Sequence, residues 1–431
     1  MGHVLHRGGE GMWNRLLVAV AVACLGTGTG WGQEALPPSG TVVSEMNPAT
    51  PVYPGVSAQP LLSPLDAPVP GRLWWRADYL FAWINGPTNT ASLLTTAPAG
   101  TERLQAGVLN DPRTAVLFGA TPTTAAGFNE SMRPGFRLST GMYLNPEATL
   151  GAEASFLMLG SRSVPFAAFS DGQTILARPY RNAATGAQEA VLIAFPEVSA
   201  GQVDFRVASG NFFNGTAGVF ETFWNTGTIR LDSLLGYRFY RYDEAFRVRQ
   251  QVNVLDPNFV PGTQIFTRDD FNAQNQFHGV EIGLRAEIAA TQALHVHLLA
   301  KVAGGNLRRE VNISGAQLVV VPGSPAVVEQ AGFLALESNS GRHISNEFMA
   351  VPEFGAGLSF QALPSLRVHV GYNGILLCRA ASVMPQVDTV IDPSLLPPAT
   401  RPAVGGDRPR FQLRRDNIWI QSIELGAELT W

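Results

Sequence analysis

Long apolar runs are what this chain of 431 residues most plainly lacks. Beyond Leu25, no stretch approaches the roughly eighteen uninterrupted apolar residues that mark a spanning helix. Any crossing of a membrane would therefore have to be made by strands, whose backbone groups all pair only in a closed sheet. Cysteine is nearly absent as well: Cys24 and Cys378 are the two, and with Cys24 in a leader no internal disulfide can form. A lone Cys378 with no His nearby in sequence fits a small apolar filler better than a nucleophile. Charged residues make up 15% of the chain, against roughly 25% in ordinary soluble domains. Lysine occurs once, at Lys301, and the net charge is only −4, so nothing supplies the basic cluster that nucleic acid requires. Also missing are a phosphate-cradling Gly loop, H-E-x-x-H, paired C-x-x-C, a calcium loop and a G-x-S-x-G elbow.

What is present begins with a leader. Arg7 and Arg15 flank an apolar run from Leu16 to Leu25, and Gly30-Trp31-Gly32 places small residues where a signal peptidase reads. Residues 1–32 are expected to be a cleaved signal peptide. A competing reading, a lipoprotein acylated at Cys24, has Ala21 where Leu is usual. From 33 to 72 the chain carries Pro37, Pro38, Pro48, Pro51, Pro54, Pro60, Pro64, Pro68 and Pro70 with almost no charge. Proline at that density removes amide donors and keeps the chain extended, which predicts a disordered periplasmic linker.

At 73 the pattern changes to period two. Ten segments alternate apolar and polar residues: 73–85, 132–144, 147–159, 211–224, 227–242, 275–289, 292–304, 347–363, 365–377 and 416–431. Each is long enough for the roughly 9–11 tilted residues that cross a bilayer. The connections alternate too. Short ones fall at 145–146, 225–227, 290–291 and 364, and long ones at 86–131, 160–210, 243–274, 305–346 and 378–415. Tight periplasmic turns and extended extracellular loops give this asymmetry in outer-membrane barrels. Trp74, Trp75, Tyr79 and Trp83 on the first strand suit an interfacial girdle.

The last segment is the clearest. Ile423, Leu425, Ala427, Leu429 and Trp431 share one face of a strand, and Ser422, Glu424, Gly426, Glu428 and Thr430 share the other. Its spacing resembles the C-terminal assembly signal of bacterial outer-membrane barrels, read here as Glu424, Gly426, Leu429 and Trp431. That resemblance implies recognition by a barrel assembly machinery.

By the same alternation Arg137, Glu153, Arg230, Asp232, Arg238, Glu281, Arg285, Glu353 and Glu424 should point into the lumen. Two readings follow. The charges line a water-filled passage for small solutes, or they pair across a narrow barrel and fill it. About eight strands give a side-chain-filled interior and open channels are typical at 16–18, so ten strands lean toward the second.

From Trp74 onward the chain resembles the beta-barrel porin-7 family of bacterial outer-membrane proteins. The resemblance is carried by RADYLFAW at 76–83, VLFG at 116–119, PGFRL at 134–138, LLGYRF at 234–239, NQFHG at 275–279 and VGY at 370–372. After Tyr372 the chain departs, with Val383 to Val387 (VMPQV) where the family has Arg-Pro-Gly-Asp-Gln. That resemblance implies an outer-membrane barrel of porin type and implies no enzyme chemistry or known substrate; no cofactor is expected.

Two clusters invite a sharper reading. His295 and His297 face one way on a strand and, with His369, could bind a metal; two polar lumen residues are the simpler account. Arg268-Asp269-Asp270 lies near the outer end of the sixth segment, where aspartates with His343 could form a protease site; solvated loop charges are the simpler account. The combined expectation is an all-β transmembrane antiparallel up-and-down barrel of about ten strands (8–12) over residues 73–431. Its expected place is the outer membrane, in contact with outer-membrane lipid, the assembly machinery and small hydrophilic solutes. Porin-like passive diffusion is the expected function; the alternative is a non-conducting structural or surface-interaction barrel.

Overall fold

The computed structural model describes residues 73–87, 91–120, 131–398 and 407–431, all within one compact unit, Leu61–Trp431. The expected signal peptide and linker lie outside the described residues. Ten strands form a ring: β1 (Leu73–Asn85), β2 (Arg133–Tyr143), β3 (Leu150–Leu159), β4 (Phe212–Asn225), β5 (Ile229–Val254), β6 (Gln264–Ala289), β7 (Leu294–Val320), β8 (Gly341–Leu363), β9 (Leu366–Ala380) and β10 (Asp416–Thr430). Each pairs antiparallel with its neighbours in this order, and β1 pairs with β10 from Trp74↔Thr430 to Asn85↔Trp419, which closes the sheet. Closure leaves no edge along the lower part of the ring, where every strand is paired on both sides. The ends are locked by reciprocal backbone bonds between Leu73 and Trp431, at 3.3 and 3.1 Å.

The short connections join β2 to β3, β4 to β5, β6 to β7 and β8 to β9 at one end of the ring. Asn145 caps the first, its Oδ1 accepting from the amides of Thr149 and Leu150 at 3.0 and 2.9 Å. Gly227 supplies a φ of +82° in the second, a conformation that costs glycine little. On the outer face, Tyr79, Val280, Ile282, Leu284, Leu298, Val370 and Leu425 are all about half exposed. A continuous band of this kind would aggregate in water and is what a bilayer stabilises. Trp75, Tyr79 and Trp83 point outward on β1, while Trp74 turns inward, its ring lying where a side chain at Gly141 would go.

Three strands continue well past the apolar band. β5 and β6 run 26 residues each and β7 runs 27. Along them the hydrophobic face reverses. On β5 the apolar residues look outward as far as Phe239; beyond it Arg241, Asp243, Arg247 and Arg249 look outward while Tyr242, Phe246 and Val248 are buried inside. The reversal marks the level where the surrounding solvent changes from hydrocarbon to water.

Much of what the sequence assigns to long loops is therefore sheet. The stretch 160–210 holds Arg162–Ser170, Leu176–Asn182, Gln188–Ala194 and Ser199–Ser209, and Ser199–Ser209 pairs with the upper part of β5. A second, smaller sheet joins Leu94–Thr96, Ala115–Phe118, Leu176–Asn182, Gln188–Ala194 and Val390–Ile391. None of these strands enters the ring, which stays at ten. They fold as a cap around one apolar core, where Leu94, Phe118, Leu176 and Ile193 meet Phe205, Phe246, Phe271, Val311 and Ile313. Full burial of each such side chain contributes about 1.5–3 kcal/mol. The divergent 383–387 segment belongs here as well, with Val383, Met384 and Val387 in that core.

Candidate functional site

The inside of the barrel holds two layers of side chains. The lower layer, toward the short turns, is ionic. The structure places in it the nine residues named above, together with Arg76, Asp78 and Lys301, which the same alternation turns inward, and His369. Arg238 is fully buried and bridges Glu281 and Glu353, from β6 and β8. Arg137 reaches across to Glu424 at 3.0 Å and Glu353 at 3.8 Å. Arg285 bonds Glu153 at 2.7 Å and Asp232 at 3.0 Å, while Arg230 takes the other oxygen of Asp232 at 2.9 Å. Lys301 lies 3.1 Å from Glu281 and 3.8 Å from Glu153. Arg76 and His369 both pair with Asp78.

Basic and acidic groups thus face one another within and between strands across the bore. Neutral side chains complete the acceptors: Asn373 donates to Glu353 at 2.8 Å, and Thr222 to Asp232 at 2.7 Å. A buried ion stays charged at tolerable cost only when its partners are in place, and here nearly every charged oxygen has one. Glu424 and Gly426 of the C-terminal signal look inward, and Leu429 and Trp431 look outward at half exposure.

Directly above lies an apolar layer that the charge pattern does not announce. Leu80, Leu157, Phe212, Tyr240, Phe277, Leu307, Ile375 and Ile420 point inward from eight different strands and form one buried cluster. The rings of Tyr240 and Phe277 stack at 5.2 Å. A sequence signal for this layer exists. Tyr79 to Ile84, Phe156 to Leu159 and Ile418 to Ile420 are unbroken apolar runs, apolar at both parities, so that one face can meet lipid while the other packs inside the bore. Two open clefts, of about 430 and 360 Å³, are lined by residues such as Arg241, Gln274 and Glu310, or Arg181, Arg408 and Arg410. Neither is lined by a residue of the two interior layers.

The sharper alternatives fare differently. His295 is buried, and Nε2 of His297 lies 2.5 Å from the Ser359 hydroxyl; His369 is engaged with Asp78 instead of joining them. Among the described residues no three His, Cys, Asp or Glu side chains come together as a metal site. Asp269 is wholly buried in the cap, where Oδ1 accepts the amides of Phe333, Leu334 and Ala335 at 2.8–2.9 Å. Asp270 pairs with Arg249 at 2.8 Å, and His343 stacks on Phe411. Both aspartates are engaged in these structural contacts, and His343 also lies 3.1 Å from the Asn339 carbonyl.

A closed ten-strand ring with an apolar exterior, an ionic interior and tight turns at one end defines an outer-membrane β-barrel. The chain belongs to the family described as "Putative beta barrel porin-7", which matches residues 74–431. No curated protein matches its sequence. Among solved structures it is similar to the outer membrane protease OmpT of Escherichia coli, with 9% identity over 83% of this chain and 97% of that one, TM-score 0.38. Fainter likenesses are a Pseudomonas aeruginosa FadL homologue (8% identity, 83% and 89% coverage, TM-score 0.21) and the P. putida toluene transporter TodX (7%, 86% and 92%, 0.21).

Proposed function

We propose that this protein is a non-conducting outer-membrane barrel whose working part is the folded extracellular cap, presented to ligands or neighbouring surfaces. The observation that carries this reading is the apolar layer. Leu80, Tyr240, Phe277, Leu307, Ile375 and Ile420 together occupy the bore, and a hydrated solute would have to shed water to pass them. Below them the fixed charges are neutralised by one another and leave little field to draw an ion inward. The cap adds weight, because the connections most free to vary in length have been folded around a core of their own.

The family description favours the other reading, passive diffusion of small hydrophilic solutes. That reading would use the ionic layer as its selective lining and needs the layer above it to part. Planar bilayers distinguish the two. Purified, heat-modifiable protein should insert without stepwise current at neutral pH, and reproducible unitary steps from the wild-type chain would retire the closed-barrel reading.

A further inference from the structure

At the upper rim of the apolar band, β8 and β9 part. Their pairing runs from Leu363↔Leu366 to Glu353↔Ile375, and beyond it β8 keeps only β7 as a neighbour. Pro352, which has no amide to donate, stands next to the parting point, as proline does on edge strands. In the gap three guanidinium groups converge on one carboxylate. Glu347 of β8 lies 2.5 Å from Nη2 of Arg309, 3.0 Å from Nη2 of Arg379 and 3.4 Å from Nη1 of Arg415. Among the described residues Glu347 is the one acid paired with any of them, so three positive charges less one negative leaves a surplus of two.

The cluster is held in place and still has donors to spare. Arg309 is fully buried, gives Nη1 to the Arg379 carbonyl at 3.1 Å, and its Nε has no protein partner. Arg379 takes a φ of +51° where the β9–β10 register is irregular, and its amide is fixed by Asn417 at 3.0 Å. A non-glycine residue seldom adopts that conformation, so the surrounding contacts hold it there. The Arg379 and Arg415 side chains are 47% and 37% exposed.

Position selects the ligand. Immediately below the cluster, Phe348 is 77% exposed on the outer face of β8. Level with Phe348 and just above it the outward residues of three strands are mostly polar, with Asn306 and Arg308 on β7, Asn346 on β8 and Asn417 on β10, although Ile344 of β8 is also exposed there. The guanidiniums therefore stand where hydrocarbon gives way to headgroups. Planar donors in excess of acceptors are the recognised means of binding phosphate. We propose that Arg309, Arg379 and Arg415, spaced by Glu347, bind the phosphomonoester of an outer-leaflet lipid whose acyl chains lie along Phe348.

Native mass spectrometry of the full folded chain in detergent tests this with dioleoyl phosphatidic acid, dioleoylglycerol and inorganic phosphate as probes. The wild type should retain one phosphatidic acid at least tenfold better than dioleoylglycerol, and millimolar inorganic phosphate should not displace it. Arg379→Gln with Arg415→Gln, both at part-exposed positions, should lose that preference by tenfold or more while keeping heat-modifiable mobility. Arg247→Gln with Arg249→Gln, on the same extramembrane wall, should retain it. Equal retention by wild type and the Arg379/Arg415 variant would overturn the site. Displacement by inorganic phosphate would overturn the lipid as its occupant.

Discussion

Arg178 and Asp269 lie 91 residues apart in the chain and meet in the core of the cap, Nη1 to Oδ2 at 3.1 Å, with both side chains essentially without solvent. Asp269 also receives three successive backbone amides, and Arg178 lies over the Phe333 ring at 4.2 Å. One carboxylate thus ties a strand of the small sheet, the upper part of β6 and the 331–336 segment together.

Asp269→Ala should leave Arg178 charged and unpaired in an apolar core, at a cost of about 3–5 kcal/mol. The loss should fall on the cap, since the ring below has its own closure. Limited proteolysis should show new cleavage in 331–336 with the heat-modifiable barrel fragment retained. Global loss of the barrel band would contradict this division of stability.

Removing the stacked pair from the apolar layer by Tyr240→Ala with Phe277→Ala should open the bore. Each truncation costs roughly 3–5 kcal/mol, so gel mobility before heating must first establish that the variant folds. Stepwise current in planar bilayers is the expected outcome, against none for the wild type. A silent, folded variant would place the barrier elsewhere.

Inward and outward substitutions should fail for opposite reasons. Leu425→Arg puts charge on the lipid face, costing about 2–4 kcal/mol near the midplane. Arg238→Met leaves Glu281 and Glu353 facing each other without their shared cation, a loss of about 3–5 kcal/mol. Urea unfolding from vesicles measures both. Adding Glu353→Gln to Arg238→Met should recover part of the loss, and adding it to Leu425→Arg should not.

Glu244 gives the cap a pH dependence of unusual sign. It lies beyond the apolar band, almost wholly buried, and accepts from Ser382, from the Val383 amide at 2.9 Å and from Tyr242 at 3.0 Å. Burial raises its pKa above the ordinary carboxylate value, with those bonds and nearby Arg133 opposing. The folded state then holds this proton more tightly than the unfolded one, so stability falls as pH rises from about 4.5 through the raised value. Glu310, held low chiefly by Arg342, acts in the opposite sense, contributing above about 4.5 and losing its contribution as pH falls below that value through its lowered pKa. Hydrogen exchange at the Val383 amide should quicken with pH beyond the intrinsic rate, and Glu244→Gln should remove the excess.

The ring was legible because hydrocarbon imposes a strict rule on every strand it touches. Ile229, Leu231, Leu235, Tyr237 and Phe239 against Arg230, Asp232, Arg238 and Tyr240 define β5 as far as the bilayer reaches. Past Tyr242 the alternation persists, with Phe246 and Val248 against Arg247 and Arg249, but in the opposite sense. A reading tuned to greasy exteriors therefore ends the strand there, some twelve residues before the observed end at Val254. The ionic layer followed from parity alone. The layer above it did not, because Leu80 or Ile420 beside outward Tyr79 or Trp419 reads as one apolar run. The small sheet of the cap was beyond reach, since it is assembled from strands of two to seven residues, some paired across gaps of many tens of residues.

The uninterrupted hairpins β5–β6 and β6–β7 also constrain how this molecule could move. A lid needs a hinge, and the same ladder of backbone bonds runs from the lower rim of the ring to the summit of the cap without a joint. The cap stands on the barrel as a mast stands through a deck. Passage through the bore would then call on rearranged side chains within the ring, because these three strands give the cap no pivot on which to swing aside.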